Sequence, residues 1–215
     1  MLMQNRPADA GAAHDRVYRA LRTQIMHGDI APGTSLTLRG LAARHGVSMT
    51  PAREAVRRLV AEGALTTSAS GRVTTPELSA ERIEELAALR ALIEVELASR
   101  ALPRAHLALI DRMHALNTSI AGVIESGDAV GYIRLNLEFH RMLYLRAQAP
   151  AMLAMAETVW LQLGPTMRAL YGRLGRTGVP SGHRMIVAAL RAGDEPGLRL
   201  AVRTDVTHGL RMLVG

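Results

Sequence analysis

Leu41-Ala-Ala-Arg-His-Gly46-Val-Ser48-Met-Thr50-Pro-Ala-Arg53-Glu-Ala-Val-Arg-Arg-Leu59 decides how the first third of this 215-residue chain folds. Leu38, Leu41 and Ala42 make a short apolar stripe that runs up to Gly46, a residue type suited to the left-handed backbone that ends a helix. Ser48 then stands where a new helix needs an N-cap. After it, Ala52, Ala55, Val56, Leu59 and Val60 recur every three or four positions, the spacing of one buried helical face. Two short helices joined by a tight turn are therefore expected.

Working outward, Val17, Leu21 and Ile25 are spaced by four and predict a preceding helix that ends at Gly28. Asp29-Ile-Ala-Pro-Gly33 reads as a turn. Beyond Gly63, Leu65 to Thr75 holds two Thr-rich, β-prone runs around a Ser-Gly tip, which predicts a hairpin. Helix, helix, turn, helix, hairpin is the profile of a winged helix-turn-helix. From Ser79 onward the elements lengthen. Ile83 to Leu97, Leu107 to Ile124, Val130 to Tyr144 (opened by Asp128) and Met152 to Met167 (opened by Pro150) each carry a helical stripe. A Gly/Arg-rich loop, Gly172 to Gly182, precedes two last helices at about 182 to 192 and 196 to 213. The expected fold class is mainly α: a tail at 1–13, a winged helix-turn-helix at 14–76 and an all-α bundle at 77–215, with Thr75-Pro76-Glu77 as connector.

At 48% hydrophobic and 21% charged, the chain can bury real cores. Cysteine is absent, so disulfide frameworks, thiolate metal clusters and cysteine nucleophiles are excluded. The net charge is +7 and all 26 basic residues are arginine, which weights the reading towards an anionic partner. Aromatic residues are 3% of the chain, too few for the stacking platforms that single-stranded nucleic acids use. The N-terminus lacks a signal-length apolar core, and the least charged stretch, Ala147 to Met167, still contains Pro150, Glu157 and Pro165. No membrane segment is expected, and the cytoplasm is the expected location.

Residues 17 to 75 resemble the DNA-binding domain of GntR-type bacterial transcription regulators. The resemblance rests on the Gly28-to-Gly33 turn, Leu-Ala-Ala-Arg-His-Gly-Val-Ser (41 to 48), Thr-Pro-Ala-Arg-Glu-Ala-Val-Arg-Arg-Leu (50 to 59), Glu62-Gly63 and the Gly-tipped wing. The remainder is similar to the effector-binding domain of the FadR-like (FCD) subgroup, from Arg90-Ala-Leu-Ile-Glu94 through Asn136-Leu-Glu-Phe-His140 to His183 and the last helix. The resemblance implies DNA contacts at Arg39, Ser48, Thr50, Arg53, Gly71 and Arg72. Arg53 and Thr50 lie one turn apart on the outer face, and a bidentate Arg to guanine contact is the commonest specific pairing. Where the family usually has Arg after Val-Ser, this chain has Met49, one contact fewer. Arg57 and Arg58 read equally as phosphate contacts or as a solvated face.

In the bundle, Asn136 and His140 are four apart and share a helical face, and His140 interrupts an apolar stripe. His183 opens another stripe with Ile186, Val187 and Leu190. Leu198, Ala201, Asp205, His208 and Met212 line up in the last helix. Imidazoles with a carboxamide or carboxylate inside a helical bundle suit a divalent metal ion such as zinc, nickel or manganese. The resemblance implies Asn136, His140 and His183 as ligands, with the fourth place open between Asp205 and His208. Arg90 and Glu94 resemble a recurrent pair of the subgroup; they read either as contacts to a small organic acid effector or as an i,i+4 ion pair on a wet face.

The resulting reading is a ligand-responsive transcription regulator, a repressor, that binds a palindromic double-stranded DNA operator as a homodimer. Metal and a small carboxylate would act from the bundle. One alternative is a small metalloenzyme built on His140 and His183; against it, no His-Glu-x-x-His or Gly-x-Ser-x-Gly motif occurs. Another is an architectural DNA binder without sequence preference, which explains the arginines but not the inward histidines.

Overall fold

A computed structural model describes residues 7–174 and 182–214. Helix α1 (Pro7–Met26) begins inside the stretch expected to be a tail. Ala8, Ala10, Ala12 and Ala13 are strong helix formers, and Pro7 suits a first turn, so the helix extends upstream of the stripe that announced it. Val17, Leu21 and Ile25 are fully buried. Helix α2 (Leu38–His45) is capped by Thr37, whose Oγ1 accepts from the Gly40 amide, and closes on Gly46 at φ 60°. Helix α3 (Met49–Ala61) buries Ala52, Ala55, Val56 and Leu59. Ser48 takes the N-cap position in extended backbone, yet its hydroxyl makes no capping bond and stays exposed.

The wing gains a strand that the sequence reading missed. β1 (Ser35–Leu36) pairs antiparallel with β3 (Val73–Thr74), which also pairs with β2 (Thr66–Thr67), giving the order β1-β3-β2. Register sets Ser35 and Thr66 on either side of Thr74, and Leu36 and Thr67 beside Val73. Buried Thr75 fastens this sheet to the Asp29–Gly33 turn: its Oγ1 accepts from the Thr34 amide and donates to the Ala31 carbonyl at 2.7 Å.

The bundle comprises α4 (Ala80–Ala101), α5 (Leu107–Glu125), α6 (Ala129–Tyr144), α7 (Pro150–Leu174), α8 (Gly182–Ala192) and α9 (Glu195–Val214). Asp128 caps α6 as expected, accepting from the Gly131 amide at 2.8 Å. Helix α7 runs three residues into the expected Gly/Arg-rich loop; residues 175–181 of that loop lie outside the described residues, as do residues 1–6. Among the described residues no helix is long and apolar enough to cross a membrane.

Helix α7 also joins the two domains. Leu161 belongs to the core of the winged domain with Val17, Leu21 and Leu59, although it is a bundle residue. Next along α7, Gln162 Nε2 donates to the Glu62 carbonyl at the C-cap of α3, and its Oε1 accepts from Arg82. Gly164 presses on α1 so closely that a Cβ there would overlap the carbonyl oxygens of Ile25 and Met26. Arg168 donates to the carbonyls of Gly28 and Asp29. Gly164→Ala is therefore expected to lower stability by about 1–3 kcal/mol, because backbone on both sides must shift. Gly122→Ala, at an exposed site in α5 with open space around it, should instead raise stability by about 0.5–1 kcal/mol. Denaturant unfolding of the two variants checks the contrast, and equal effects would contradict this account of the junction.

Candidate functional site

The first candidate surface is the outer end of α3 with the wing. Arg39, Ser48, Thr50, Arg53, Gly71 and Arg72 are all exposed. Neither Arg39 nor Arg53 takes part in an ion pair among the described residues, because Glu54, the obvious partner for Arg53, binds Arg57 at 2.8 Å. Arg58 is held away from this face. Its guanidinium stacks 3.7 Å over the Tyr18 ring and lies 3.5 Å from Asp15 and 3.4 Å from Glu62. Of the two ambiguous arginines, Arg57 lies in a surface pair and Arg58 fastens α3 to α1. At the wing tip, Gly71 turns at φ +78° with open space where a Cβ would stand, and Arg72 Nε donates to Ser35 Oγ of β1. Met49 is 38% exposed beside Thr50, an apolar group on an otherwise polar edge.

The second candidate site lies inside the bundle. His140 on α6, His183 on α8 and Asp205 on α9 bring their ligating atoms within 4.8 Å of one another. His140 Nε2 stands 3.0 Å and His183 Nε2 3.7 Å from the same oxygen, Asp205 Oδ2. Neither Nε2 has a hydrogen-bond partner of acceptable geometry, although both are buried. The opposite ring atoms explain why. His183 Nδ1 lies 3.2 Å from Asn117 Oδ1, an acceptor, so its proton sits there and Nε2 carries the lone pair. His140 Nδ1 lies 3.2 Å from the Tyr144 hydroxyl, which donates onward to Glu94 Oε2 at 3.0 Å. Tyr144 thus accepts from His140, whose Nε2 is also bare. Phe139 stacks on the His183 ring with centroids 3.9 Å apart, which fixes its plane.

Two lone pairs and a carboxylate oxygen converging without a proton among them form a cation's donor set, so the residues present fit a divalent ion. Burial pushes the His183 imidazole down to about 4, with Asp205 opposing and His140 and Arg90 adding to the fall, so this ring is neutral at pH 7. Gly182 makes room for the Asp205 carboxylate, since a Cβ there would overlap it.

Asn136 is buried one turn before His140, on the expected face. His208 is not at the site. The inward row of α9 runs through Leu198, Ala201, Val202, Asp205 and Val206, while Leu200, Thr204 and His208, four apart, fall on the exposed side. Of the two residues left open for the fourth place, Asp205 joins the cluster; Met212's side chain lies outside the described residues. The wet-face reading of Arg90 and Glu94 is overturned as well: they are 5% and 0% exposed and bonded at 2.5 and 3.2 Å. Trp160 Nε1 also donates to Glu94, at 2.9 Å. Burial pushes Glu94 up, but the charge and hydrogen bonds of Arg90, with His140 and Trp160, leave it below its ordinary value. The sequence reading missed Asn117 and Trp160. Asn117 carried a signal, because it interrupts the stripe Ile110, Met113, Ile120 in α5 as His140 does in α6.

Comparison with known proteins places both surfaces in context. Residues 13–74 match the family described as bacterial regulatory proteins, gntR family, and residues 85–208 match the FCD domain. The chain is 31% identical over 204 residues to the HTH-type transcriptional regulator McbR of Escherichia coli (strain K12), covering 92% of this chain and 91% of that one. It is 24% identical over 171 residues to a probable D-xylose utilization operon transcriptional repressor of Paenarthrobacter nicotinovorans, covering 80% and 75%. The solved structure of E. coli McbR/YncC superposes with a TM-score of 0.83 at 26% identity, over 94% of this chain and 99% of that one. A GntR regulator from Rhodococcus sp. RHA1 shares the fold, with a TM-score of 0.77 at 20% identity over 95% and 98%.

Proposed function

The chain belongs to the gntR family of bacterial regulatory proteins and carries an FCD domain, and from that membership we propose that it is a metal-dependent, ligand-responsive repressor acting as a homodimer in the cytoplasm. DNA binding and transcription regulation come with the family. The homodimer, the palindromic operator, the metal and the effector are the finer reading. A dimer follows from the size of one winged helix, which spans too few base pairs for useful specificity and needs a second half-site. The observation that carries the metal-dependent part is the pair of bare, buried Nε2 atoms of His140 and His183 facing Asp205.

On DNA, the N-terminus of α3 enters the major groove. Arg53 reads a guanine edge, Ser48 and Thr50 meet phosphate or sugar, and Arg39 and the Gly71-Arg72 tip hold the backbone. Met49 replaces a charge with a thioether suited to a thymine methyl group, which shifts base preference rather than removing it. In the bundle, imidazoles and a carboxylate suit zinc, nickel or manganese. A bound ion would act as a Lewis-acid anchor for the carboxylate of a small organic acid. Arg90, with N–H groups beyond the two spent on Glu94, supplies positive charge near Asp205. The metalloenzyme alternative leaves the exposed α3 edge without a task; the regulator employs both sites.

Arg53→Ala is expected to cost about 1–3 kcal/mol at the operator and to flatten discrimination at one base pair. Competition binding against random DNA measures it, and an unchanged ratio of specific to random affinity would refute the role. For the bundle, elemental mass spectrometry of untagged protein should find about one divalent ion per chain, lost in His140→Ala and kept in His208→Ala. Full occupancy in His140→Ala, or loss in His208→Ala, would sink the ligand assignment.

A further inference from the structure

A cleft of about 570 Å³ opens where the winged domain meets the bundle, and neither the α3 edge nor the histidine cluster uses it. Its walls come from α1, α5, α6 and α7, so both domains contribute. Four arginines line it, Arg22, Arg112, Arg134 and Arg141, against two carboxylates, Glu138 and Glu157. Glu157 is already engaged by Arg141 at 2.9 Å and by Arg22 at 3.9 Å. Arg112 and Arg134 have no carboxylate within 4.0 Å among the described residues. His27 responds to the same field: burial pushes its imidazole down, Asp29 pulls it up, and Arg134 pushes it down again.

Besides Thr23 and His27, the remaining wall is apolar. Met26, Met142 and Leu145 flank the arginines, and Leu145 is 50% exposed, an unpartnered aliphatic group beside unpartnered charge. Methionines there can adapt to ligands of differing shape. The volume falls within the roughly 300–1,000 Å³ of ordinary small-molecule sites. Arg134, Glu138 and Arg141 stand on the outer side of α6, whereas Asn136, His140 and Tyr144 face inward, so the cleft and the histidine cluster lie on opposite faces of one helix. Trp160 lines the cleft and, through Nε1, is bonded to Glu94, whose other partner Tyr144 lies beside His140.

We propose that this cleft is a second ligand site, for an amphiphilic organic anion, with its charged end on Arg112 and Arg134 and its apolar body against Met26, Met142 and Leu145. An occupant would touch α1 and α6 together, and so would bind best to one placement of the winged domain on the bundle.

The test uses the full-length protein and 8-anilinonaphthalene-1-sulfonate, an aromatic anion whose emission reports an apolar site. Trp160 is the single tryptophan, so energy transfer from it reports that the dye is bound to the protein, and its loss in the arginine variants below places the dye in the cleft. The expected result is saturable transfer in the wild type, weakened about tenfold or more by the double change Arg112→Glu and Arg134→Glu. Glutamine at both positions removes the charges without adding new ones and should weaken it in the same direction. Arg184→Glu, an exposed reversal on α8 away from the cleft, should bind as the wild type does, with all thermal midpoints unchanged. Absent saturable transfer in the wild type, undiminished transfer in both double variants, or equal loss in Arg184→Glu would overturn the proposal.

Discussion

Glu94 is a carboxylate with no solvent exposure, and the geometry of the bundle turns on how it is satisfied. Removing an ion from water costs several kcal/mol, which only close donors can offset. Arg90 supplies two from its own helix, Tyr144 one from α6 and Trp160 one from α7. Three helices are thus positioned about one charge. The consequence reaches the histidine cluster. Burial holds the Tyr144 phenol far above its ordinary value, so it stays a hydroxyl and spends its proton on Glu94. It can then only accept from His140 Nδ1, and His140 Nε2 is left with a lone pair aimed at Asp205. The donor set at the cluster is in this sense dictated by a residue that does not belong to it.

The same carboxylate connects the cluster to the winged domain through consecutive residues of α7. Trp160 answers to Glu94, Leu161 is packed in the winged core, Gln162 holds the Glu62 carbonyl at the C-cap of α3, and Gly164 lies against the backbone of α1. A displacement of α7 at Trp160 cannot be absorbed at a flexible linker, because the next turn is already docked on α3 and α1. A ligand changes DNA binding only through different affinities for two arrangements. α7 is the element whose placement both ends would sense.

Much of this was legible in the sequence because it is local. The turn at Gly46, the stripe of α3 and the Asp128 cap depend on residues within a few positions of each other. β1 was invisible because two residues carry no period, and Ser35–Leu36 becomes a strand only by pairing with Val73–Thr74. Arg90 and Glu94 were recognised as a pair, but i,i+4 spacing is the same on a wet face and in a dry core, so their burial could not be read. His140 and His183 stood out as polar breaks in apolar stripes. Choosing Asp205 over His208 required the rotation of α9 about its axis, which its neighbours in the bundle set. Arg58 reads from the sequence equally as a phosphate contact or a solvated face, and neither reading includes its stacking on Tyr18, 40 residues away in the chain.

The most direct test of the account is the affinity of the full-length protein for a DNA fragment selected by the protein from a random pool, measured after chelation and again with one equivalent of zinc, nickel or manganese, for the wild type and Trp160→Phe. The account predicts that metal changes wild-type affinity about fivefold or more, and that Trp160→Phe, which keeps the aromatic packing but loses the bond to Glu94, binds DNA with a much smaller response. Equal affinities with and without each metal in the wild type would contradict it.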